Sequence, residues 1–542
     1  MKSTVGLILF LLFIFSPVFS QDIFYRIELK DKGKTPYTIE HPEEYLSERA
    51  IERRQKQGIS IDSTDLPVDP EYFQQIQSTG ATIRSHSKWM KTVVVHAPDD
   101  HCLSQINQLP FVDNVYAVWK GSLPAMQSKF VVEREDEAMV VRSVNDIDYY
   151  GESSDQIAVN NGKPLHQAGY KGKGMWIAVI DASFRNADRI SLFNQQQILG
   201  YKNFTHITDE FFEITTNNHG TSVLSCMLSN NPGTLVGTAP EAEYFLFMTE
   251  VNDDEFPVEE DYWMAAIEYA DSLGIDVATT SLGYTTFYDD EMNHTQSQLD
   301  GKSILISRAA NCAAQKGMLL FIAAGNDGDE DWHYISFPAD ADDVVCVGAV
   351  DKDKNLTKFS GRGPSADGRI KPDAMAMGRL CAVVNAEGMI YRGSGTSYAT
   401  PIMAGLSTCL WQALPELTNK EIIQLLREHS NYATHPNSDY GYGIPDVYAA
   451  YLHKTSGIHS ISREQIMYVD SGSRRLYILS DWGNESICHV SLFNNLGQKI
   501  LHITDASEST DLSFLSSGIY IVALQVGNKR YINKIALNPP TP

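Results

Sequence analysis

Between residues 150 and 455, short apolar runs alternate with longer helix-like stretches. This alternation constrains the fold more than any other feature of the chain. Met175-Trp176-Ile177-Ala178-Val179-Ile180, Glu243-Tyr244-Phe245-Leu246-Phe247-Met248, Val277-Ala278-Thr279-Thr280-Ser281-Leu282-Gly283, Met318-Leu319-Leu320-Phe321-Ile322-Ala323-Ala324 and residues 344–350 read as buried strands. Residues 261–273, ended by Gly274, and 303–316 read as helices. A further helix over 421–428 opens on the capping box Thr418-Asn419-Lys420-Glu421. Strands that alternate with helices give an α/β fold, a parallel sheet with helices on both faces. Ligands of such sheets sit outside the carboxyl ends of the strands. Asp181 and Asn326 both fall there.

The flanks differ. Residues 21–120 hold alternating strand patterns, as in Ile23-Phe24-Tyr25-Arg26-Ile27-Glu28-Leu29, with helix patterns over 42–57 and 101–109. A small α/β unit is expected there. Residues 121–149 are polar and of mixed charge, and read as an exposed linker. Residues 463–542 are short strands and turns, a small all-β sandwich. At the start, Lys2, the apolar stretch 5–15 and Val18-Phe19-Ser20 make residues 1–20 an export signal cut before Gln21. No later run reaches the length of a membrane span, so the processed protein is expected to be soluble and exported. The formal net charge of −25 repels nucleic acid and anionic lipid. The seven cysteines are scattered singly. Without a Cys-x-x-Cys pair they indicate no zinc site, and most are expected to be free thiols, with at most one disulfide that the sequence does not assign.

The chemistry centres on Gly393-Ser394-Gly395-Thr396-Ser397-Tyr398-Ala399-Thr400-Pro401, which leads into an apolar run. Pro401 fits the first turn of a helix. Ser397 would then stand at the tight start of a buried helix, beside its free N–H groups and positive end. Taken alone, Ser397 could be only an N-cap. Its company elsewhere argues for a nucleophile: His219 in Asn218-His219-Gly220-Thr221, Asp181 ending a buried run, and Asn326 in Ala324-Gly325-Asn326-Asp327-Gly328. Acyl transfer from an amide needs a nucleophile, a base, a group that orients the base, and donors for the oxyanion. Asp188 is the alternative carboxylate.

These motifs, in the order Asp, His, Ser, resemble those of the subtilisin-like serine peptidases, the subtilases. The resemblance covers about 300 residues. It implies a secreted endopeptidase with Asp181, His219 and Ser397 as its triad and Asn326, with the Ser397 N–H, as its oxyanion hole. Ser281, Leu282 and Gly283 would pair with an extended substrate, and with Ala323, Ala324 and Gly325 would wall the first specificity pocket. Segments 359–364, 371–373 and 376–378 match a further family signature with a mainly structural role. Two departures stand out: Asp181-Ala182-Ser183 in place of the usual Asp-Ser/Thr-Gly, and Ser222 where a second His is common. The latter is expected not to touch the chemistry.

The same resemblance makes the first unit a propeptide, an intramolecular chaperone and inhibitor. The last unit resembles a type IX secretion sorting domain, apart from the tail Asn538-Pro539-Pro540-Thr541-Pro542. The implied partners are protein or peptide substrates, the chain's own propeptide and a secretion machinery, with a secreted or cell-surface location. The chemistry needs no cofactor. A structural calcium is left open at the loop 228–237, which offers carbonyl and Asn oxygens but no carboxylate. Two rival readings are a catalytically dead fold used for binding and an esterase with the same triad. Acidic Asp327, Asp329, Glu330 and Asp331 would either favour basic substrates or form a solvated loop.

Overall fold

The computed structural model describes residues 23–121, 148–205, 211–213, 217–251 and 255–455, and, further on, 467–470, 474–478, 487–494, 497–504, 509–526 and 529–537. The export signal, most of the linker and the tail 538–542 lie outside the described residues. The chain divides into two compact units, residues 1–452 and 453–542.

In the first unit seven strands lie side by side, all parallel: Ala374–Met377, Val345–Val350, Leu319–Ala323, Val277–Thr280, Trp176–Asp181, Glu243–Met248 and Ile198–Asn203. Side chains alternate across this sheet. Ile177, Val179, Leu319, Phe321, Val345 and Val347 enter one core with Val223 and Leu224 of the helix His219–Leu228 and Ile402 and Met403 of the helix Thr396–Ala413. Ala178, Ile180, Leu320, Ile322 and Cys346 enter the other with the helices Val258–Leu273 and Leu305–Gln315. Apolar on both faces, the inner strands are covered on both, as their sequences demand, while the edge strand Ile198–Asn203 leaves Leu199 and Tyr201 exposed. The strand run expected to reach Gly283 ends at Thr280, so residues 281–283 leave the sheet. The acidic helix starts at Val258, three residues early, because Glu259, Glu260 and Asp261 suit the positive end of a helix. The antiparallel pair Cys381–Val384 and Ile390–Gly393 is too short and mixed to have been read from sequence.

Residues 23–120 form an antiparallel sheet in the order Thr82–Ser87, Thr92–His96, Ile23–Leu29, Val112–Lys120. Its helices are Glu48–Lys56, Pro70–Ser78 and Asp100–Asn107. The second of these is absent from the sequence reading, although the cap Asp69, Pro70 in the first turn and the apolar Tyr72, Phe73 and Ile76 mark it. Trp89, Met90, Val94 and Val118 join the core of the helix Val258–Leu273. That helix also buries Asp261, Glu268 and Asp271, and the N-terminal subdomain answers each. Arg26 Nε donates to both Asp261 oxygens, at 2.7 and 2.9 Å. Glu268 accepts from the Lys88 and Trp89 N–H groups and from the Ser87 hydroxyl. Arg53 and Arg54 both donate to Asp271. A carboxylate unpaired at such depth costs several kcal/mol, about 3–5 when a partner is removed, so the acids on this helix and the arginines opposite are one feature.

The second unit, taken by itself, is two antiparallel sheets, one of strands Met467–Asp470, Arg475–Ile478 and Ser509–Asp511, the other of Lys499–Thr504, Ile487–Phe493, Gly518–Val526 and Lys529–Leu537. Leu476, Val490, Leu492, Leu512, Val522 and Leu524 fill the core between them, the all-β sandwich that its alternating residues imply. Of the seven cysteines, Cys102, Cys226, Cys312, Cys346, Cys381 and Cys409 are free.

Candidate active site

The strands Trp176–Asp181 and Val277–Thr280 are neighbours in register, Ile180 beside Thr280, and the site gathers at their carboxyl ends. Asp181 is fully buried. Its Oδ1 accepts from the Ala182 N–H at 2.8 Å and faces His219 Nδ1 at 2.7 Å. A carboxylate only accepts, so the proton is on Nδ1 and Nε2 is left as the basic nitrogen. Gly220 makes this approach possible: a Cβ there would stand 2.6 Å from Ser183 O and 3.0 Å from Asp181 Cβ. The His-Gly pair is therefore a packing requirement as well as a motif. The alternative carboxylate, Asp188, is spent at the surface on Arg189.

The helix carrying Ser397 runs from Thr396 to Ala413 with Gly395 as N-cap, at φ +153°. This removes the alternative of Ser397 as an N-cap and corrects one expectation, the place of Pro401. Ser397 is the second helical residue, not the cap. Pro401 is inside the helix, not in its first turn. The position of Pro401 has a local logic. With no N–H, Pro401 cannot bond the carbonyl four residues back, which is that of Ser397. Ser281 Oγ donates to that carbonyl instead, at 2.8 Å, while Ser397 Oγ points to Ser281 O at 3.4 Å. Ser281, expected only to pair with a peptide backbone, thus also braces the Ser397 turn. The spacing of Ser397 and Pro401 was the signal that could have found it.

Asn326 is fixed from the same turn. Its Oδ1 accepts from the Thr396 N–H and the Thr396 hydroxyl, each at 2.9 Å. A backbone N–H can only donate, so Oδ1 is the atom facing Thr396 and the Nδ2 donors are turned the other way. A Cβ on Gly395 would stand 3.7 Å from Nδ2. The further signature segments support this turn. Gly361 N–H donates to Gly325 O at 2.9 Å, and Gly395 N–H donates to Gly378 O at 2.7 Å. Lys371 Nζ donates to Asp373 at 2.8 Å, and Asp373 accepts from Arg427 and the Cys346 N–H.

Of the expected pocket residues, Gly283 is exposed and Leu282 is buried. Ala323 and Ala324 are buried, Ala324 within the core, so the wall they offer is backbone. The structure adds Ser336, which the sequence reading missed for want of any motif. A Cβ on Gly283 would stand 2.1 Å from Ser336 Oγ, and one on Gly325 3.1 Å from it. Ser336 therefore lies between the two glycines, and its buried Oγ has no hydrogen-bond partner among the described residues. In the acidic loop, Asp329, Glu330 and Asp331 are exposed, while burial, with Glu330 and Asp329 alongside, pushes the Asp327 carboxyl up.

The loop 228–237 does not fit calcium. The Ser229, Asn231 and Thr234 carbonyls already accept from the Gly237, Thr234 and Glu152 N–H groups. Only neutral oxygens are present, and the pairing Asn230 to Val236 closes the loop as a hairpin. Six to eight oxygens with carboxylates among them are not on offer. Among the described residues no cluster of metal-ligating side chains occurs.

A parallel sheet with a buried Asp–His pair and a helical Ser at its carboxyl edge defines a serine-hydrolase class of site. The chain belongs to the subtilase family, whose family model matches residues 172–443. The peptidase S8 propeptide domain of Bacteroidota matches residues 24–132, and a secretion-system C-terminal sorting domain matches residues 473–538. The chain is 27% identical over 300 residues to the subtilisin-like protease SBT6.1 of Arabidopsis thaliana, covering 53% of this chain and 26% of that one. It is 28% identical to the serine protease AprX of Bacillus subtilis, covering 50% and 63%, and 28% identical to subtilisin DY of Bacillus licheniformis, covering 52% and 92%. The chain thus spans about a quarter of the plant relative's length and 63% of that of AprX. The solved structure of the epidermin leader peptide processing serine protease of Staphylococcus aureus matches the fold with a TM-score of 0.56 at 17% identity, covering 82% of this chain and all of that one. The fold is the subtilisin-like α/β fold. Among the described residues no helix is long and apolar enough to cross a membrane.

Proposed function

We propose that this protein is an exported serine endopeptidase, made with its propeptide at 21–120 and its peptidase domain at 150–455. The observation that carries the reading is the 2.7 Å contact of Asp181 Oδ1 with His219 Nδ1. It sits at the same sheet edge as a Ser397 turn whose amide and carbonyl partners are fixed from outside the helix. In this reading Ser397 Oγ attacks the peptide carbonyl and His219 Nε2 takes its proton. Asp181 holds the imidazole with Nδ1 protonated and stabilises the imidazolium that forms. The carbonyl oxygen becomes an oxyanion, received by Asn326 Nδ2 and the Ser397 N–H. His219 then gives the proton to the leaving amine, and water repeats the cycle on the acyl-enzyme.

The substrate lies extended along residues 281–283, with its side chain at the scissile bond between Gly283 and Gly325 over Ser336. The family match of the N-terminal subdomain and its charge-matched seat on the helix Val258–Leu273 support its action as an intramolecular inhibitor. The family match of residues 473–538 supports delivery to the cell surface or medium by a secretion machinery. The test is hydrolysis of casein by wild type and Ser397→Ala, with phenylmethylsulfonyl fluoride as a parallel block. Activity abolished by both supports the reading. Equal activity in the two proteins, or none in processed wild type, refutes it.

A further inference from the structure

Ser222 and Tyr398 stand inside the two motifs that carry the base and the nucleophile, and the mechanism uses neither. Ser222 follows His219 by three residues on one helix, and Tyr398 follows Ser397 directly on the other. Tyr391, on the strand Ile390–Gly393, stands between them. Its hydroxyl is 2.9 Å from Ser222 Oγ and 3.3 Å from the Tyr398 hydroxyl. Ser222 Oγ has two carbonyl acceptors, Val384 O at 3.0 Å and, one turn back on its own helix, Asn218 O at 3.4 Å, and the shorter contact is with Val384. A carbonyl only accepts, and each hydroxyl has one proton. The row therefore runs one way, Tyr398 to Tyr391 to Ser222 to Val384 O. Its far end is held, since the Val384 N–H donates to Ser225 Oγ on the His219 helix at 3.0 Å. The Tyr398 ring is buried, its centroid 6.3 Å from that of His219. Gly393 leaves it space, because a Cβ there would stand 2.6 Å from Tyr398 Cε2.

We propose that Ser222, Tyr391 and Tyr398 are positioning residues, a row of hydroxyls that sets the first turn of the Ser397 helix against the first turn of the His219 helix. It thereby presets the separation of nucleophile and base. This rests on the triad reading above. Further along, the two helices meet through Val223, Leu224, Ile402, Met403 and their neighbours, and the buried Thr238 hydroxyl lies 3.2 Å from Cys226 O and 3.4 Å from Pro401 O, away from the first turns that carry His219 and Ser397. Apolar contact is non-directional and lets one helix slide on the other, whereas a one-way row of hydrogen bonds fixes a register. Ser222, at the position where the resemblance has a second His, thus has a partner in Tyr391.

The test uses the processed full-length enzyme carrying Tyr391→Phe, Ser222→Ala, both together, or Ser222→Thr. Turnover of a peptide nitroanilide is expressed per site titrated with a serine-reactive fluorophosphonate, so only competent molecules count. Each single variant is expected to lower kcat about 10-fold with KM within about twofold, since misplacement by an ångström costs on the order of 100-fold. The double variant is expected to be no worse than the weaker single, because both break one row. Ser222→Thr keeps the hydroxyl and is expected to keep most of kcat. Unchanged kcat with only a lowered Tm would reduce the row to a structural brace. Multiplying losses in the double variant would make the two hydroxyls independent, and either result overturns the proposal. Should Tyr391→Phe fail to fold, Tyr398→Phe asks the same question from the other end. A wild type no more active than Ser397→Ala would instead sink the peptidase reading, leaving the row without a reaction to serve.

Discussion

Gly283→Ala isolates the contact between the two faces of the pocket. The added Cβ would stand 2.1 Å from Ser336 Oγ and 2.7 Å from Ser336 Cβ, where ordinary contact begins near 3.4 Å. Ser336 Oγ can turn away about χ1 but its Cβ cannot, so residues 281–283 or Ser336 must give by at least 3.4 − 2.7 = 0.7 Å. Ser281 is in that segment and holds the Ser397 carbonyl, so the shift reaches the nucleophile. Overpacking of this kind costs about 1–3 kcal/mol in stability. A displacement of about 1 Å at reacting groups costs about 100-fold in rate, or about 2.7 kcal/mol of barrier. The expected result is kcat/KM lowered about 100-fold on peptide anilides with Ala or Phe at the scissile position. The rescue is specific. Ser336→Gly removes the two nearest atoms, and the next, Phe337 O, stands at 3.8 Å from the new Cβ. The double variant should regain at least tenfold, while Ser336→Gly alone should favour Phe over Ala by deepening the pocket. A Gly283→Ala enzyme within threefold of wild type, or a double variant no better than the single, would refute the reasoning.

Three other perturbations separate the parts of the molecule. Asn326→Ala should lower kcat by about 10²–10³-fold with little change in KM, read by steady-state kinetics, because only the charge that develops at the oxyanion loses a donor. Arg26→Met in a Ser397→Ala chain leaves Asp261 buried and unpaired, and should cost about 3–5 kcal/mol by urea unfolding at pH 7.5. Burial pushes the Asp261 carboxyl up to about 6 against the pull of Arg26. A carboxyl raised in the folded state favours folding most at low pH, so the loss should shrink at pH 5, and an equal loss at both pH values would contradict the pairing. His166 is the converse. Its Nε2–H donates to Thr238 O at 3.0 Å, its Nδ1 has no hydrogen-bond partner, and burial holds it down to about 4. The folded state prefers it neutral, so stability present above its ordinary value of 6.5 is lost as pH falls toward 4, by about 3 kcal/mol. His166→Gln should remove that part of the acid sensitivity in urea titrations from pH 7 to 4.

Five strands of the sheet are legible because they are apolar on both faces, a demand that leaves few alternatives, whereas the exposed edge strand Ile198–Asn203 and the four-residue Ala374–Met377 are not. Asp181, His219, Asn326 and Ser397 stand out as candidates in the sequence because each sits in a short pattern at the end of a readable element. What stayed hidden is set by pairs distant in sequence. Ser336 has no local pattern and matters only because Gly283 and Gly325 close on it. Tyr391 belongs to a hairpin of four-residue strands. Pro401 was read by the commonest rule for proline near a helix start. The helix begins five residues earlier instead, since Ser281 supplies the hydrogen bond that the proline denies.

The six unpaired cysteines are distributed one to an element: the helix of Cys102, the two helices flanking the parallel sheet at Cys226 and Cys409, the helix of Cys312, the strand of Cys346 and the hairpin of Cys381. Burial pushes the Cys312 thiol up to about 11 and the Cys226, Cys346, Cys381 and Cys409 thiols up as well. The reactive species is the thiolate, so in an intact molecule these five are nearly mute to alkylating reagents and in an opened one they are not. Each of the five is then a clock for its own element, and the order in which their peptides acquire label would chart how the molecule comes apart. Among these residues no covalent tie holds the chain together once it opens. Outside the cell its service life would be counted in opening events, each a chance for oxidation to make the loss permanent.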